Sequence, residues 1–426
     1  DGLFVSPAGA AGDRLIARQL GAILDGELIA VRPPSLGVRS PAYDTFRQEQ
    51  RDRPTLIVGG ARDGLIHFFR LDDGRELFSY VPRLSLDNFR DGLVQPGSRH
   101  LNADGPLHSA DIVVCRSTGA GREDCPATID DLEFRTIIAG ALGSGGANVF
   151  GIDITDATES MLRDNDGNNF TPGSVKGWDV VNDPRMFATI RAFRDRTTEE
   201  TQLGSAVSRP RLTHVRNQGD IEAAVIVGCG EAINLDEQNI ADVNGTGRCV
   251  LVINATTGEI IRKFANADIE DGRFSLDYPV IGSPSVYPQS GIQPAERAYI
   301  GDSVGRLWRM DLRSQDPASW TMEVAWPPAE RADASVYQLG GPVVGRPSIA
   351  KARDGNLVVV FGTGQAVIPP GTNIPGGEQT GSASYVVSFS DDLVVDDTDI
   401  TFQSNTNWVL PLRESEYTSG EVVIRS

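Results

Sequence analysis

The sequence lacks any run of about 20 apolar residues, which is the length that a membrane-spanning helix needs. It also lacks a cluster of lysine and arginine beyond scattered pairs, and its formal net charge is −19. A surface that follows nucleic-acid phosphates must be basic. We therefore expect a chain that does not span a membrane and does not bind nucleic acid.

Motifs of common enzyme classes are missing as well. The sequence has no G-x-S-x-G nucleophile elbow, no H-E-x-x-H zinc helix and no phosphate-binding P-loop. It has only four histidines, and none has a partner at metal-ligand spacing: His67, His100, His108 and His214. His67 alternates with Phe69 on a strand-like segment, which favours a packed or hydrogen-bonded structural role. We expect a protein that is not an enzyme.

Glycine, by contrast, is abundant, with 46 residues, and it recurs in a pattern. Five segments contain a short apolar strand, a glycine step and a second strand: Leu56–Phe69, Thr136–Asp153, Ala223–Asn254, Arg297–Leu312 and Leu357–Ser390. In four of them the glycine directly follows the apolar run, where a larger side chain would clash with neighbouring backbone. This repetition predicts an all-β protein, a β-propeller of seven blades, with six as the alternative count.

The remaining segments fit one propeller domain over residues 1–426, because a propeller grows by adding blades. Residues 1–50 read as a lead-in with a closing strand. The repeat is interrupted at 84–132 and 156–183, which are predicted loop insertions. The tail Thr401–Leu412 reads as a last strand that pairs with N-terminal residues and closes the ring.

Helices are expected to be few and short, because no long segment has the 3.6-residue apolar period. A short helix is expected around Arg14–Leu24. The best helical candidate is Pro184–Arg196, where apolar residues at helical spacing follow a proline.

The four cysteines fall in two local pairs, Cys115 with Cys125 and Cys229 with Cys249. Their spacing is not that of a zinc site. Two states remain open on the residues alone. The cysteines are either four buried free thiols or, in an exported protein, two local disulfides.

The segment LIVGGARDGLIHFFRLDDGRELFSYVP, which begins at Leu56, resembles the glycine-aspartate-glycine blades of the PilY family, the tip-associated proteins of bacterial type IV pili. Further segments resemble that family in the same order: HLNADGPLHSADIVV, TIIAGALGSGGANVFGIDITD, GSPSV with AYIGDSVGRLWRMDL, and GRPSI with LVVVFGTGQ. The resemblance extends from about Leu20 to about Ser390 and implies the C-terminal propeller of such a protein.

The resemblance implies a non-enzymatic pilus-tip protein that supports pilus assembly and retraction, surface adhesion and twitching motility. Its implied partners are minor pilins and the pilus tip complex, together with a host or abiotic surface. Its implied location is extracellular, at the pilus tip or the outer-membrane surface, which favours disulfides over free thiols. The loops 84–132, 156–183 and 369–381 are the candidate contact regions.

Calcium is the one cofactor expected. The family often carries an aspartate-rich calcium loop before the strand that begins here at ERAYIGD, but residues 287–296 offer a single carboxylate, so that site is not transferred. Two other loops place oxygen side chains at calcium-like spacing: Asp164, Asp166 and Asn168, and then Asp242, Asn244 and Thr246. Both loops lack the acidic twelfth ligand, and the alternative for each is a solvated turn.

Two other functions remain open. The blades of quinone-dependent dehydrogenases end in an aspartate-x-x-threonine-glycine turn, which residues Asn254–Gly258 resemble, although Ile260, Ile261 and Phe264 follow where a tryptophan is usual. The second alternative is a propeller assembly factor that binds partner proteins by strand addition at a blade edge.

Overall fold

The computed structural model describes residues 3–5, 20–23, 26–86, 102–117, 125, 131–156, 176–181, 203–231, 246–266, 275–289, 292–327, 341–364, 384–396 and 399–412. Within these ranges the chain forms five antiparallel sheets, a nine-residue α-helix and a helical segment at 83–86, with two short 3-10 turns at Gly143–Gly145 and Pro317–Ser319. The all-β class predicted from the sequence is confirmed.

The first two sheets use the N-terminal part of the chain. The first contains β1 (Leu3–Val5), β2 (Ile29–Val31), β3 (Leu56–Gly60), β4 (Ile66–Arg70) and β5 (Glu76–Val81), in the spatial order β1-β5-β4-β3-β2. The helix, α1 (Pro41–Glu49), lies between β2 and β3 in the chain. The second sheet contains β6 (Leu107–Val113), β8 (Phe134–Ala141), β9 (Asn148–Asp153) and β10 (Lys176–Val181), while β7 (Cys115–Ser117) pairs with a strand of the third sheet.

The last three sheets are meanders in chain order. The third contains β11 (Arg211–Asn217), β12 (Asp220–Gly228), β13 (Val250–Asn254) and β14 (Ile260–Phe264). The fourth contains β15 (Ser285–Tyr287), β16 (Arg297–Gly301), β17 (Leu307–Asp311) and β18 (Thr321–Trp326). The fifth contains β19 (Ser348–Lys351), β20 (Leu357–Gly362), β21 (Tyr385–Asp396) and β22 (Asp399–Pro411).

Each of the five repeats found in the sequence supplies the two central strands of one sheet. These pairs are β3 with β4, β8 with β9, β12 with β13, β16 with β17, and β20 with β21. The count of seven or six blades is not confirmed, because the described residues form five sheets.

The sheets pack face to face in chain order, as propeller blades do. Four buried apolar clusters lie one between each successive pair of sheets. One edge strand of each sheet also contacts the corresponding edge strand of the next sheet, in the order β2, β6, β11, β15 and β19. We call these the first strands of their sheets. Sheets that share faces on both sides while their first strands line one inner surface have the architecture of a β-propeller.

Glycines at the ends of three second strands allow this close packing. A Cβ at each would overlap a backbone carbonyl oxygen of the segment that enters the next sheet: Ala103 beside Gly60, Val280 beside Gly228 and Val343 beside Gly301. Any larger residue would therefore push two backbones apart. The steric prediction made from the sequence is confirmed at these positions.

Helix α1 was not anticipated from the sequence. Ser40 caps it by accepting a hydrogen bond from the Tyr43 backbone N–H, and Pro41 occupies the first turn, where its missing N–H costs nothing. Tyr43 and Phe46 face the second sheet and pack against Phe134. Of the helix predicted at 14–24, only residues 20–23 are described, and they are not helical; the helix predicted at 184–196 lies outside the described residues.

The two predicted insertions contain strands, which corrects their assignment as loops throughout. Strands β6 and β7 lie within 84–132, and β10 lies within 156–183. The sequence of β6 does not alternate cleanly between apolar and polar residues. Its polar residues His108, Ser109 and Asp111 are all only partly buried on this inner strand. A polar inner strand lacks the apolar signal on which strand prediction depends.

The predicted pairing of the tail with N-terminal residues is not seen among the described residues and stays a prediction, since 1–2, 6–19 and 24–25 lie outside them. Strand β22 pairs with β21 along its whole length, and the N-terminal strands β1 and β2 join β5 and β3 of the first sheet. A hairpin partner is adjacent in the chain, so its pairing carries a smaller loop-closure cost than pairing across about 400 residues.

Candidate functional site

The imidazole of His67 lies between two carboxylates in the first sheet. Its Nδ1 is 2.7 Å from Glu76 Oε1, and its Nε2 is 3.1 Å from Asp63 Oδ2. Although burial alone would lower the pKa of His67, these two carboxylates raise it to about 9. Ser79 donates to Glu76 rather than to the imidazole, so this cluster has no nucleophile–base pair. The hydrogen bonding predicted for His67 is present on both ring nitrogens.

His108 and His214 link the second sheet to the third. His108 Nδ1, on β6, lies 3.2 Å from the Leu212 N–H of β11, and His214 Nε2, on β11, accepts from the Val113 N–H of β6 at 2.9 Å. Burial lowers the pKa of His108 to about 3, helped by the positive charges of Arg211 and Arg346, and lowers that of His214 to about 4. Both rings are therefore neutral, as acceptors of these backbone N–H groups must be.

Both cysteine pairs are disulfides. Cys115 is bonded to Cys125, and Cys229 is bonded to Cys249, each with a Cα–Cα distance of 5.2 Å. Asp220 lies beside the first disulfide, but both sulfur atoms are already used in the covalent bond, so the three residues do not form a metal site. The disulfide alternative is confirmed.

The turn that resembles a dehydrogenase blade does contact a tryptophan. Asn254 Oδ1 accepts from the N–H groups of Thr256 and Thr257, and Gly258 has a φ of 72°. The indole of Trp178, on β10 of the preceding sheet, packs on Gly258 and donates to the Ala255 carbonyl at 2.8 Å. Sequence reasoning missed this tryptophan because it looked for one just after the turn, at 260–264, whereas Trp178 precedes the turn by about 80 residues. The contact joins the second and third sheets.

Most of the predicted calcium ligands lie outside the described residues. These are Asp164, Asp166, Asn168, Asp242 and Asn244, while Thr246 is described as part of a half-buried turn. His100 and the candidate contact loop 369–381 also lie outside the described residues. The calcium sites stay a prediction.

The fifth sheet has an unusual charge. No lysine or arginine occurs between Asp354 and Leu412, while the same stretch contains seven acidic residues, five of them in the nine positions from 391 to 399. The last two strands of this sheet, β21 and β22, therefore contain no basic residue that could pair with a buried carboxylate.

Asp391 finds its positive partners on the fourth sheet. Its carboxylate, which is fully buried, accepts from Arg297 Nη1 at 3.1 Å and also from the Arg309 guanidinium and the Tyr299 hydroxyl. Arg309 also pairs with Glu323. Burial and the adjacent Asp391 charge raise the pKa of Tyr299, so it remains a hydrogen-bond donor.

Phe402 on β22 strengthens the same junction. The guanidinium carbons of three arginines lie 4.4 to 4.6 Å from the centre of its ring: Arg297, Arg309 and Arg313. Cations at this distance are attracted to the negative face of an aromatic ring. The fourth and fifth sheets are thus held together by ion pairs and cation–π contacts in addition to apolar packing.

Beyond this junction the last hairpin leaves the sheet. Strand β20 pairs with β21 only as far as Asp391, and residues 392–396 then pair with 399–403 alone. We call this two-stranded ribbon, residues 392–396 paired with 399–403, the distal hairpin. Five strand residues extend about 17 Å. Leu393 and Val394 on it are 39% and 37% exposed.

The distal hairpin is a partly exposed element that sequence reasoning missed. The predicted last strand was correctly located, but the hairpin was not recognised as a projection. Two signals in the sequence could have found it: the five aspartates from 391 to 399, and the apolar triplet Leu393–Val395 between them.

No helix in the described part of the chain has both the length and the apolar character that crossing a membrane requires.

Comparisons with known proteins agree with this architecture. The model of the PilY1 beta-propeller domain matches residues 35–380. The chain is 24% identical over 355 residues to a type IV pilus biogenesis factor PilY1 homolog of Xylella fastidiosa, covering 79% of this chain and 23% of that protein. It is 25% identical over 273 residues to the type IV pilus biogenesis factor PilY1 of Pseudomonas aeruginosa, covering 63% of this chain and 18% of that protein.

A solved structure has the same fold. The crystal structure of the Pseudomonas aeruginosa PilY1 C-terminal domain superimposes with a TM-score of 0.52 at 21% identity, covering 85% of this chain and 64% of that one. The chain spans about a quarter or less of the length of these two curated relatives. Because the family model covers most of the residues described above, the chain belongs to the PilY1 β-propeller family.

Proposed function

We propose that this chain is a type IV pilus-associated scaffold, located outside the cell at the pilus tip or the outer-membrane surface. In this role it supports pilus assembly and retraction, surface adhesion and twitching motility. The observation that carries the proposal is the PilY1 β-propeller match over residues 35–380, since the relatives with this domain are named pilus biogenesis factors.

The physical character of the molecule supports a scaffold. The two disulfides suit an oxidising compartment outside the cytoplasm. Neighbouring sheets are held in fixed positions by close backbone packing at glycines and by ion pairs between sheets. Elements on the surface are therefore presented rigidly. Minor pilins and the pilus tip complex are the proposed partners on one side, and a host or abiotic surface is the proposed target on the other.

A genetic test addresses the proposal directly. Deletion of the gene should reduce surface pili and twitching, and the intact gene should restore both. A copy with Leu71→Ser, which changes an exposed residue far from any junction, is the matched control and should also restore both. Normal piliation and twitching in the deletion strain would overturn the proposal.

The scaffold is proposed to act without enzyme chemistry. Among the described residues, His67 is held as a cation, and His108 and His214 are neutral acceptors of backbone N–H groups. The test is the absorbance spectrum of the purified full-length protein. A quinone or other redox band that is lost on denaturation would favour the dehydrogenase alternative.

Calcium binding at 164–168 and 242–246 is proposed as a stabilising feature. A cation that binds only the native state raises the melting temperature by mass action. Millimolar calcium should therefore raise the melting temperature of the intact protein, and Asp164→Asn with Asp242→Asn should remove that rise. An unchanged melting temperature would retire both sites.

A further inference from the structure

Three basic side chains lie close together at the first strands of the second, third and fifth sheets. His108 lies on β6, Arg211 begins β11, and Arg346 lies two residues before β19. Arg211 Nη1 is 3.1 Å from His108 Nε2, and the positive charges of both arginines act on the imidazole. All three residues are half-buried. Two guanidinium groups therefore lie near one imidazole in a chain whose formal net charge is −19.

Both ring nitrogens of His108 face hydrogen-bond donors. Nδ1 is 3.2 Å from the backbone nitrogen of Leu212, and Nε2 is 3.1 Å from Arg211 Nη1. A neutral imidazole has one acceptor nitrogen and one N–H, and a guanidinium can only donate. One of the two contacts therefore places a donor against a donor, whichever nitrogen carries the proton.

The backbone contact decides which nitrogen of His108 accepts. Leu212 is buried and its N–H is held in place by the strand, so the loss of its acceptor would leave a desolvated backbone donor. Nδ1 is accordingly the acceptor, and Nε2 carries the proton. Burial and the two arginines lower the pKa of His108 to about 3, so the ring stays neutral. The donor pair is thus the Nε2–H of His108 and the Arg211 guanidinium.

The described residues supply no negative charge to this donor pair from the imidazole side. Among them, no carboxylate contacts the His108 ring, and the Glu27 carboxylate pairs with Arg209. Arg211 Nη2 donates to the carbonyl of Gln289, which is exposed, so the position is open to solvent. An oxygen atom about 2.8 Å from both nitrogens of the donor pair would accept from each of them. A negative charge on that oxygen would strengthen both hydrogen bonds.

We propose that His108, Arg211 and Arg346 form a binding site for a small oxyanion, either a phosphate or a carboxylate group. One oxygen of the anion accepts from His108 Nε2–H and from Arg211, and Arg346 contributes a second positive charge. Water accepts the same hydrogen bonds but brings no negative charge to the two guanidinium groups. Because the three residues belong to three sheets, the bound anion ties the first strands of those sheets together. The site does not depend on the proposed function, and the two are tested separately.

The chain has only four histidines, so the His108 ring can be observed directly by NMR. The intact protein, labelled with isotope-enriched histidine, is titrated near neutral pH with sodium phosphate or sodium acetate, against sodium chloride at equal ionic strength. His108 should carry its proton on Nε2, and the Nε2 signal should shift saturably with phosphate, acetate or both. His214 is the internal control, because its buried neutral ring contacts the Val113 N–H rather than an arginine. Its signal should not shift.

Arg346→Gln tests the contribution of the second guanidinium. The variant should weaken the Kd for the anion by about tenfold or more, because a charge-assisted contact is lost. Arg353→Gln is the matched control, since it removes the same charge from an exposed position just after β19 and should leave the Kd unchanged. An unshifted His214 signal in each variant shows that the protein is folded.

The stronger of the two responses identifies the ligand, phosphate or carboxylate. A His108 signal that responds to neither anion, or that responds equally to chloride, would overturn the site. Equal Kd values in Arg346→Gln and Arg353→Gln would also overturn it, because the shift would then report general salt effects. A proton found on Nδ1 instead of Nε2 would remove the donor pair and the inference with it.

Discussion

The junction between the second and third sheets and the junction between the fourth and fifth sheets solve one packing problem in different ways. Of the described residues, nineteen form the buried apolar cluster at the first junction, and nine form the cluster at the second. The first adds two neutral histidines that accept backbone N–H groups. The second adds a buried carboxylate held by two arginines and a tyrosine. Where the apolar cluster between two sheets is smaller, charged side chains make more of the contact between them.

The difference follows from where the basic residues lie in the chain. The fifth sheet has none between Asp354 and Leu412, and both charged partners of Asp391, Arg297 and Arg309, lie on the fourth sheet. A buried ion pair is itself weak evidence for stability, because desolvation opposes the Coulomb attraction. It is strong evidence for specificity of contact, because the loss of one partner leaves the other buried and unpaired.

The largest expected effect of a single substitution comes from removing that partner. Asp391→Ala should lower the free energy of unfolding by about 3–5 kcal/mol, since Arg297 and Arg309 would both lose the buried carboxylate that they share. Chemical denaturation with urea measures the change. Asp354→Ala is the control, because this exposed aspartate of the same sheet makes only a local turn contact with the Asn356 N–H. Equal losses in the two variants would show that the ionic junction has no special weight.

At the junction between the second and third sheets, the contribution of the two neutral histidines to stability can be measured by varying the pH. The pKa values of His108 and His214 are lowered to about 3 and about 4, so the unfolded chain takes up protons on these residues below about pH 6.5 while the folded chain does not. Their contribution to stability is complete above pH 6.5 and is lost as the pH falls towards 4. By these values the loss between pH 6.5 and 4 should amount to about 5 kcal/mol for the pair.

His108→Gln with His214→Gln separates this effect from other acidic groups. A glutamine side-chain oxygen can accept the same backbone N–H but takes up no proton in this range. The fall in unfolding free energy between pH 6.5 and 4 should be shallower in the double variant than in the wild type. Equal slopes in the two proteins would mean that the histidines are not the acid-sensitive element of this junction.

The sequence predicted the repeated part of the fold better than its junctions. Apolar strands followed by glycine locate the central strands of all five sheets, because both strand formation and the glycine requirement are local. The partners of Asp391 and Gly258 are not local: Arg297 and Trp178 lie about 80 to 95 positions away in the chain. Strand β6 and helix α1 are local elements, but they were missed because their polar composition gives only a weak apolar period.

The third buried histidine, His67, lies in the first sheet and is charged, whereas His108 and His214 are neutral. Asp63 and Glu76 raise its pKa to about 9. The folded chain therefore keeps this proton more tightly than the unfolded chain does, and its contribution is complete below about pH 6.5 and is lost as the pH rises through 9. Solvent screening limits the expected loss to about 1 kcal/mol. In His67→Gln the decline in unfolding free energy between pH 6.5 and 9.5 should be smaller than in the wild type. A His67→Gln variant with the wild-type alkaline slope would show that the two carboxylates do not hold this imidazole as a cation, and the contrast between the charged and neutral histidines would then fail.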